Sequence, residues 1–360
     1  MNISNALKHS VFLRKKPLVS IKVASGYARA MVFRQPVLRT VDFAVTNVCN
    51  SKCRFCSAHL LYKSEKRTIL TPDQIVDAFK QASRLGAMHI NLTGGEPMTR
   101  NIDELCYIAR GIRPRFHLLS LVTNSLSITA EKLKRLKQSG LDTLQLSIES
   151  MSPDVHDHLR GIPGNWEEVM KAFAYAQELG LIVCLSTVLT RTNFSEIRKI
   201  IEFASRHRNV FVLLNPISSC GAVAGESRHR LTLEDMAEYE ELLKIGIVRA
   251  DTIVNFSGRA GCPGGKERIH ITAFGDVMTC PHVQISYGNI KHEPLRQIWE
   301  RMYSLPDLKR YSPVCKHAFD QAYYDKVLKP IEHMTEVPVS VFAHPTLKHE
   351  ISRDDRHSNA

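Results

Sequence analysis

Three of the nine cysteines fall within eight residues, as Cys49-x-x-x-Cys53-x-x-Cys56. Thiolates packed so closely in one segment share a task, and a metal centre is the task that suits them. A four-iron cubane held by three cysteines keeps one iron without a protein ligand, open to a chelating substrate or cofactor. Zinc is the weaker alternative, because structural zinc is closed by four protein ligands, often as paired C-x-x-C units. Cys262, Cys280 and Cys315 form a second candidate metal group in the last hundred residues. Cys106 and Cys184 sit inside helix-like and strand-like runs and read as core.

The elements that must hold these residues alternate. Short apolar runs predict strands over 41–46, 89–93, 116–123, 143–148, 181–188 and 210–214. Amphipathic segments predict helices over 71–85, 102–112, 129–139, 166–179, 194–205 and 232–248. In the first helix Thr71 is the N-cap, Pro72 fits the first helical position, and Gln74 completes a capping box. Strand–helix alternation implies a parallel sheet with right-handed crossovers. Six units are too few for a closed eight-stranded barrel, so a partial barrel or an open doubly wound sheet is expected. In either, chemistry belongs at the C-terminal ends of the strands, where the cysteine triplet falls.

The cysteine loop resembles the C-x-x-x-C-x-aromatic-C signature of the radical S-adenosylmethionine (SAM) superfamily, with Phe55 as the aromatic residue. At the second strand end, Gly94-Gly95-Glu96-Pro97 resembles the Gly-Gly-Glu-Pro motif of the same family. The resemblance implies a partial (β/α)6 TIM-like barrel in which Cys49, Cys53 and Cys56 ligate a 4Fe–4S cluster. It further implies that backbone around Gly94, Gly95, Glu96 and Pro97 receives the SAM ammonium group. Thr123-Asn124-Ser125 stands where relatives often carry Thr-Asn-Gly, and Ser147-Ile148-Glu149 resembles a Ser-Ile-Asp segment that contacts SAM. Arg160, before Gly161, is the candidate partner of the SAM carboxylate; Thr187 and Asn215 end later strands on the same rim. A polar cap on a buried strand is an equal reading for these residues. By the same resemblance, an electron from a donor such as flavodoxin or ferredoxin cleaves SAM, and the 5′-deoxyadenosyl radical abstracts hydrogen from substrate.

Cys262, then Gly275-Asp-Val-Met-Thr-Cys280, Gly288-Asn-Ile290, Ile298-Trp299 and Cys315 resemble an auxiliary iron–sulfur domain of the SPASM or shorter twitch type. No cluster of cysteines follows Cys315, so one auxiliary 4Fe–4S cluster is implied. Cys220, His282 and His317 are candidates for its fourth ligand, and zinc is the alternative for this group. The expected organisation is a basic N-terminal segment (1–40), a radical SAM core (41–250), an auxiliary domain (251–325) and a loosely attached tail (326–360).

Charge and composition bound the partners. The chain has 360 residues, 44% hydrophobic, with a formal net charge of +12. Nothing reads as a membrane span or a secretory signal, so a cytoplasmic location is expected. Lys8, Arg14, Lys15, Lys16, Lys22, Arg29, Arg34 and Arg39 are basic, with Leu18, Ile21, Tyr27, Ala28, Met31 and Val32 at roughly helical spacing, all before the first acidic residue, Asp42. Such a stretch either covers the barrel end or meets an anionic membrane surface at the inner face. The charge favours an anionic small-molecule or lipid substrate; a peptide-modifying maturase is the alternative. The 48 residues before Cys49 count against a leader-binding domain. A non-enzymatic scaffold that binds nucleic acid is disfavoured, because it has no use for a SAM site.

Overall fold

A computed structural model describes residues 16–61, 67–217, 220–223, 231–250, 252–256 and 258–354. Lys8, Arg14, Lys15 and the chain beyond 354 lie outside these residues.

Six β/α units follow in the expected order. The strands are β1 (Thr40–Ala44), β2 (His89–Thr93), β3 (Leu118–Thr123), β4 (Thr143–Ser147), β5 (Ile182–Leu189) and β6 (Val210–Pro216). They pair side by side in parallel. Two strands extend the sheet: β7 (Val248–Ala250) beside β6, and β10 (Arg268–Ile271) beside β1, with β11 (Val277–Met278) antiparallel at the far edge. The short β8 (Ile253–Val254) and β9 (Ala260–Gly261) form a separate ribbon. The architecture is thus an open partial barrel, and C-terminal chain is woven into its edge.

One face of each strand is apolar and sealed by helices. Val41, Phe43, Ile90, Leu92, Leu119, Leu121, Leu144 and Leu146 are essentially inaccessible, and Phe43 meets Phe79 of α2 (Pro72–Leu85) at 5.0 Å between centroids. The other face is polar, as alternation requires: Asp42, Asn91, Ser120, Gln145, Ser186 and His270 occupy it. There Asp42 accepts from Asn91 Nδ2 at 2.6 Å and Arg268 Nε at 2.5 Å. Helix α2 starts as its sequence predicts, with the Thr71–Gln74 capping box formed and Gly86 closing it at φ +114°. The other outer helices are α3 (Ile102–Gly111), α4 (Ala130–Gln138), α6 (Asn165–Glu178) and α7 (Ile197–Ser205).

Three expectations need correction, and one further helix was not expected. The helix expected over 232–248 is α8 (Leu233–Leu242), and the chain then turns through Gly246 into β7. The open edge of β6 accepts Val248 opposite Val212, and pairing outweighs helical spacing there. A short helix, α5 (Pro153–Arg160), stands after β4, started by Pro153 and stopped by Gly161 at φ +70°. Helix α1 (Pro17–Met31) does form, but its buried face is Val19, Val23, Gly26, Tyr27 and Ala30, packed on Phe256. Most of the apolar residues that defined its spacing, including Ile21, Met31 and Val32, point outward. Finally, the stretch expected to be a loose tail is packed: Val327, Ile331, Val339, Val341, Leu347 and Ile351 join the main core. Val339 pairs with Ile285 of β12 (Ile285–Ser286), and Lys326 ties Asp307 to Glu350 of the last helix. Its polar composition hid a sparse apolar face.

Candidate active site

The segment after β1 carries Cys49, exposed, and Cys53 and Cys56, half-buried. Backbone contacts hold it from both sides. Gly95 N–H donates to Thr46 O at 3.0 Å and Glu96 N–H to Val48 O at 2.8 Å, fastening the loop to the end of β2. A Cβ on Gly94, whose φ is +146°, would stand 2.5 Å from Thr46 O, and one on Gly95 would collide with Val48 O and approach Cys49 Cβ. The two glycines are therefore needed for close backbone approach. From the opposite side, Ala222 N–H donates to Cys56 O at 2.9 Å and Gln284 Nε2 to Ser57 O at 2.5 Å. Gln284 lies four residues beyond Cys280, so the auxiliary segment touches the first cysteine loop directly.

Glu96 and Arg160 organise the rim. The buried Glu96 carboxylate accepts from Thr123 Oγ1 at 2.8 Å, Asn124 N–H at 2.6 Å and Met98 N–H at 3.0 Å. Its side chain is thus a bolt between the ends of β2 and β3, while its backbone faces the cysteine loop. Pro97 opens the turn that follows. Asn124 Nδ2 donates to Asn50 Oδ1 at 2.8 Å, which links β3 to the loop between Cys49 and Cys53. Asn165 Nδ2 supports the Asn124 carbonyl at 2.8 Å. Ser125 takes φ +74°, a conformation that favours glycine.

Arg160 is 9% exposed at its side chain and donates from Nη1 to Glu149 Oε1 at 3.3 Å. The other Glu149 oxygen accepts from Val188 N–H at 2.9 Å. Burial pushes the Glu149 carboxyl up to about 7 against the opposing pull of Arg160. Arg160 Nε is buried without a hydrogen-bond partner. Cys53, Glu149, Cys49 and Glu96 lie beside Arg160 and offset the desolvation that would lower its pKa. Ser147, half-buried at the end of β4, lies in register with Ser186. Thr187 Oγ1 donates to Ile148 O at 2.6 Å, and Asn215 Nδ2 donates to Ser186 Oγ at 3.1 Å. Thr187 therefore straps strands together, the structural one of its two readings.

These residues fit a cluster-and-SAM site. Although Cys49 is exposed, partial desolvation by the surrounding loop raises its thiol, and burial pushes Cys56 up to about 12, so a cationic metal favours their thiolates. A buried guanidinium with an orphan N–H beside them suits an anionic group. Among the described residues no three His, Cys, Asp or Glu side chains already converge at metal-ligating geometry.

The second group is assembled around β9. Cys262 N–H donates to Ser312 O at 3.0 Å. A Cβ on Gly264 would stand 3.6 Å from both Cys262 Sγ and Thr279 O, so the segments bearing Cys262 and Cys280 abut. Burial pushes the Cys280 thiol up to about 12, and Cys262 adds to that shift. Cys315 is 7% exposed just past Ser312. His282 and His317 stack at 4.3 Å, whereas Cys220 lies against Ser57 O in the first loop, in a cleft it shares with His282 and Gln284. Asn50, Asn165, Gln284 and Ala222 were not singled out from sequence. Their roles rest on long-range contacts that no local pattern announces.

Comparison with known proteins agrees with this geometry. Residues 43–204 match the radical SAM superfamily, and residues 262–317 match an iron–sulfur cluster-binding (SPASM) domain, together more than half of the chain. The chain is 27% identical over 278 residues to a PqqA peptide cyclase of Rhizobium meliloti (71% of this chain, 72% of the relative). It is 26% identical over 347 residues to an AdoMet-dependent heme synthase of Oleidesulfovibrio alaskensis (84% and 86%). The fold is similar to that of Streptococcus suis SuiB bound to the precursor peptide SuiA, at TM-score 0.59 and 17% identity, covering 76% of this chain and 67% of that one. The chain belongs to the radical SAM superfamily: it is a radical SAM enzyme with a 4Fe–4S cluster and SAM as cofactors and a C-terminal SPASM-type iron–sulfur domain.

Proposed function

We propose that this enzyme modifies a peptide or protein segment, with Cys49, Cys53 and Cys56 holding the SAM cluster and Cys262, Cys280 and Cys315 an auxiliary one. When bound, the cluster supplies the electron that cleaves SAM and so provides a hydrogen-abstracting species. The chain's own residues orient and enclose that chemistry. The unpartnered Arg160 Nε beside the thiols supports a role in binding the SAM carboxylate. The Glu96–Thr123–Asn124 network and the Asn124–Asn50 bond hold the loop still, which is how positioning lowers a barrier. Backbone around Gly94, Gly95 and Pro97, with Ser147 and Glu149, completes the proposed SAM surface.

The observation that carries the peptide reading is the likeness to PqqA peptide cyclases over most of both chains. A cleft beside the cysteine loop agrees with it, lined by Leu60, Gly221, Gln284, Leu328, Ile331 and Met334. Its mixture of apolar walls and an amide suits a side chain together with backbone. An anionic small molecule is the second reading, favoured by the +12 charge and by the heme-synthase likeness.

Anaerobically reconstituted protein is expected to hold about eight irons per chain and about four in a Cys262/Cys280/Cys315 triple alanine variant. With SAM and a reductant it makes 5′-deoxyadenosine, and Cys53→Ala does not. Deuterium passing into 5′-deoxyadenosine from a labelled peptide supports the main reading. Transfer only from labelled tetrapyrrole or another anionic metabolite overturns it.

A further inference from the structure

Helix α1 closes the barrel at the end opposite the cysteine loops. Lys16 Nζ donates to His117 O at 2.9 Å and meets Asp142 Oδ2 at 2.5 Å. Lys22 Nζ reaches Ser83 Oγ at 2.9 Å and Ala87 O at 3.1 Å. These partners lie at the end of α2 and in the loops that enter β2, β3 and β4. Val19, Val23, Gly26 and Ala30 provide the seat, and Tyr27 meets Phe256 edge-on at 5.0 Å. The inner face of the helix is fully used.

The outer face is apolar as well. Leu18 is 37% exposed, Ile21 65%, Met31 61%, Val32 71% and Phe33 65%. Ala24 and Ala28 complete the stripe. Elsewhere among the described residues, exposed large apolar side chains are scattered. A patch this concentrated on a soluble face marks a binding surface.

The surroundings of the patch identify its occupant. Arg34 adjoins it, and the helix ends and loops at the same end of the barrel expose Arg84, Arg113, Arg115, Lys137 and Arg208. Phe116 is 41% exposed among them. Asp142, Glu202, Glu241 and Glu267 at this end each pair with a basic side chain, and the exposed Glu178 and Glu240 are outnumbered by the exposed arginines and lysines. In the sequence, the residues before α1 include Lys8, Arg14 and Lys15 and no acidic residue. An apolar stripe ringed by arginine and lysine has the composition of a surface that dips into lipid headgroups. A second copy is a poor occupant, because joining two such faces would bring like-charged rims together.

We propose that α1 and the basic loops around it form a docking surface for an anionic lipid bilayer. The surface tethers the enzyme and does not feed it. The cysteine loops stand at the other end of the strands, so the site faces the aqueous side and takes its substrate from there. This placement is independent of whether the substrate is a peptide.

Flotation of the full-length, reconstituted enzyme tests the proposal. The probes are vesicles of mixed phosphatidylglycerol and phosphatidylcholine, compared with phosphatidylcholine alone. The anionic vesicles should retain at least about tenfold more protein, and the excess should fall as salt is raised. The double variant Ile21→Glu/Val32→Glu should lose the binding while its thermal midpoint and 5′-deoxyadenosine formation stay at wild-type values. Arg113→Gln with Arg115→Gln should weaken it severalfold. Equal failure on both vesicles overturns the proposal, as does a double glutamate variant that floats like the wild type. It is also overturned if gel filtration shows a wild-type dimer that the glutamates split, with no vesicle binding by either form.

Discussion

Gly95 lies where two backbones nearly touch, and its missing side chain sets how closely the cysteine loop can approach β2. A methyl group there would press on Val48 O and Cys49 Cβ. Gly95→Ala is therefore expected to fold but to lose the first cluster, so that iron falls from about eight to about four per chain while the auxiliary iron stays. Iron analysis with SAM-cleavage assays checks this; a variant with full iron and normal cleavage would mean that the loop has slack. Ser125 gives the opposite case. It holds φ +74°, and its buried hydroxyl has no hydrogen-bond partner. Ser125→Gly removes a left-handed strain of about 1 kcal/mol and should raise the unfolding midpoint by about 1–2 °C without slowing SAM cleavage. A lower midpoint would show that the hydroxyl has a role the geometry does not reveal. At this scale the reactive residues were legible in the sequence, because thiol spacing and paired glycines are local signals. Their supports were not. The carboxylate of Glu96 is occupied by Thr123, Asn124 and Met98, and the loop is gripped by Asn50, Ala222 and Gln284, partners brought together only by folding.

Elements were legible where burial and periodicity agree. Strands β1 to β6 are apolar because helices cover them, and α2 is announced by its capping box and its closing glycine. The expectation for 232–248 ran too far because helical spacing continues past Gly246, and only the free edge of β6 shows where a strand must form. The C-terminal stretch was misread for a related reason. Its apolar residues are few and interrupted by His, Asp and Pro, yet they reach across the molecule to the core and to β12. This has a measurable consequence. Leu347 is 2% exposed, so Leu347→Ala should destabilise the protein by about 2–4 kcal/mol in chemical denaturation. A change below about 0.5 kcal/mol, as for a surface residue, would restore the loosely attached tail.

The whole molecule is a partial barrel with its chemistry at one end and a basic, apolar cap at the other, and buried titratable groups run through its interior. His117, His156 and His270 are all buried, and desolvation pushes each imidazole down to about 4. Folding therefore keeps them neutral where the unfolded chain, with histidines near about 6.5, takes up protons. Stability that is complete above about 6.5 is lost as pH falls towards 4, by at most about 3 kcal/mol for each histidine. Glu149 acts in the other direction. Its carboxyl is pushed up to about 7 by burial, so the folded state binds that proton more readily, and stability drops as pH rises from the ordinary carboxylate range towards 7. Between about 4.5 and 6.5 the two effects overlap: burial also pushes His344 down and Glu96 and Glu267 up, and the four histidines outnumber the three carboxyls. The thermal midpoint should thus fall on acidification across that window. His270 is the cleanest probe, because neither ring nitrogen has a hydrogen-bond partner and its replacement breaks no bond. His270→Gln should reduce the steepness of the acid limb, with little change at pH 7.5. Thermal melts at half-unit pH steps would decide it: an acid limb as steep in the variant as in the wild type would mean that His270 is charged or solvated in the folded protein.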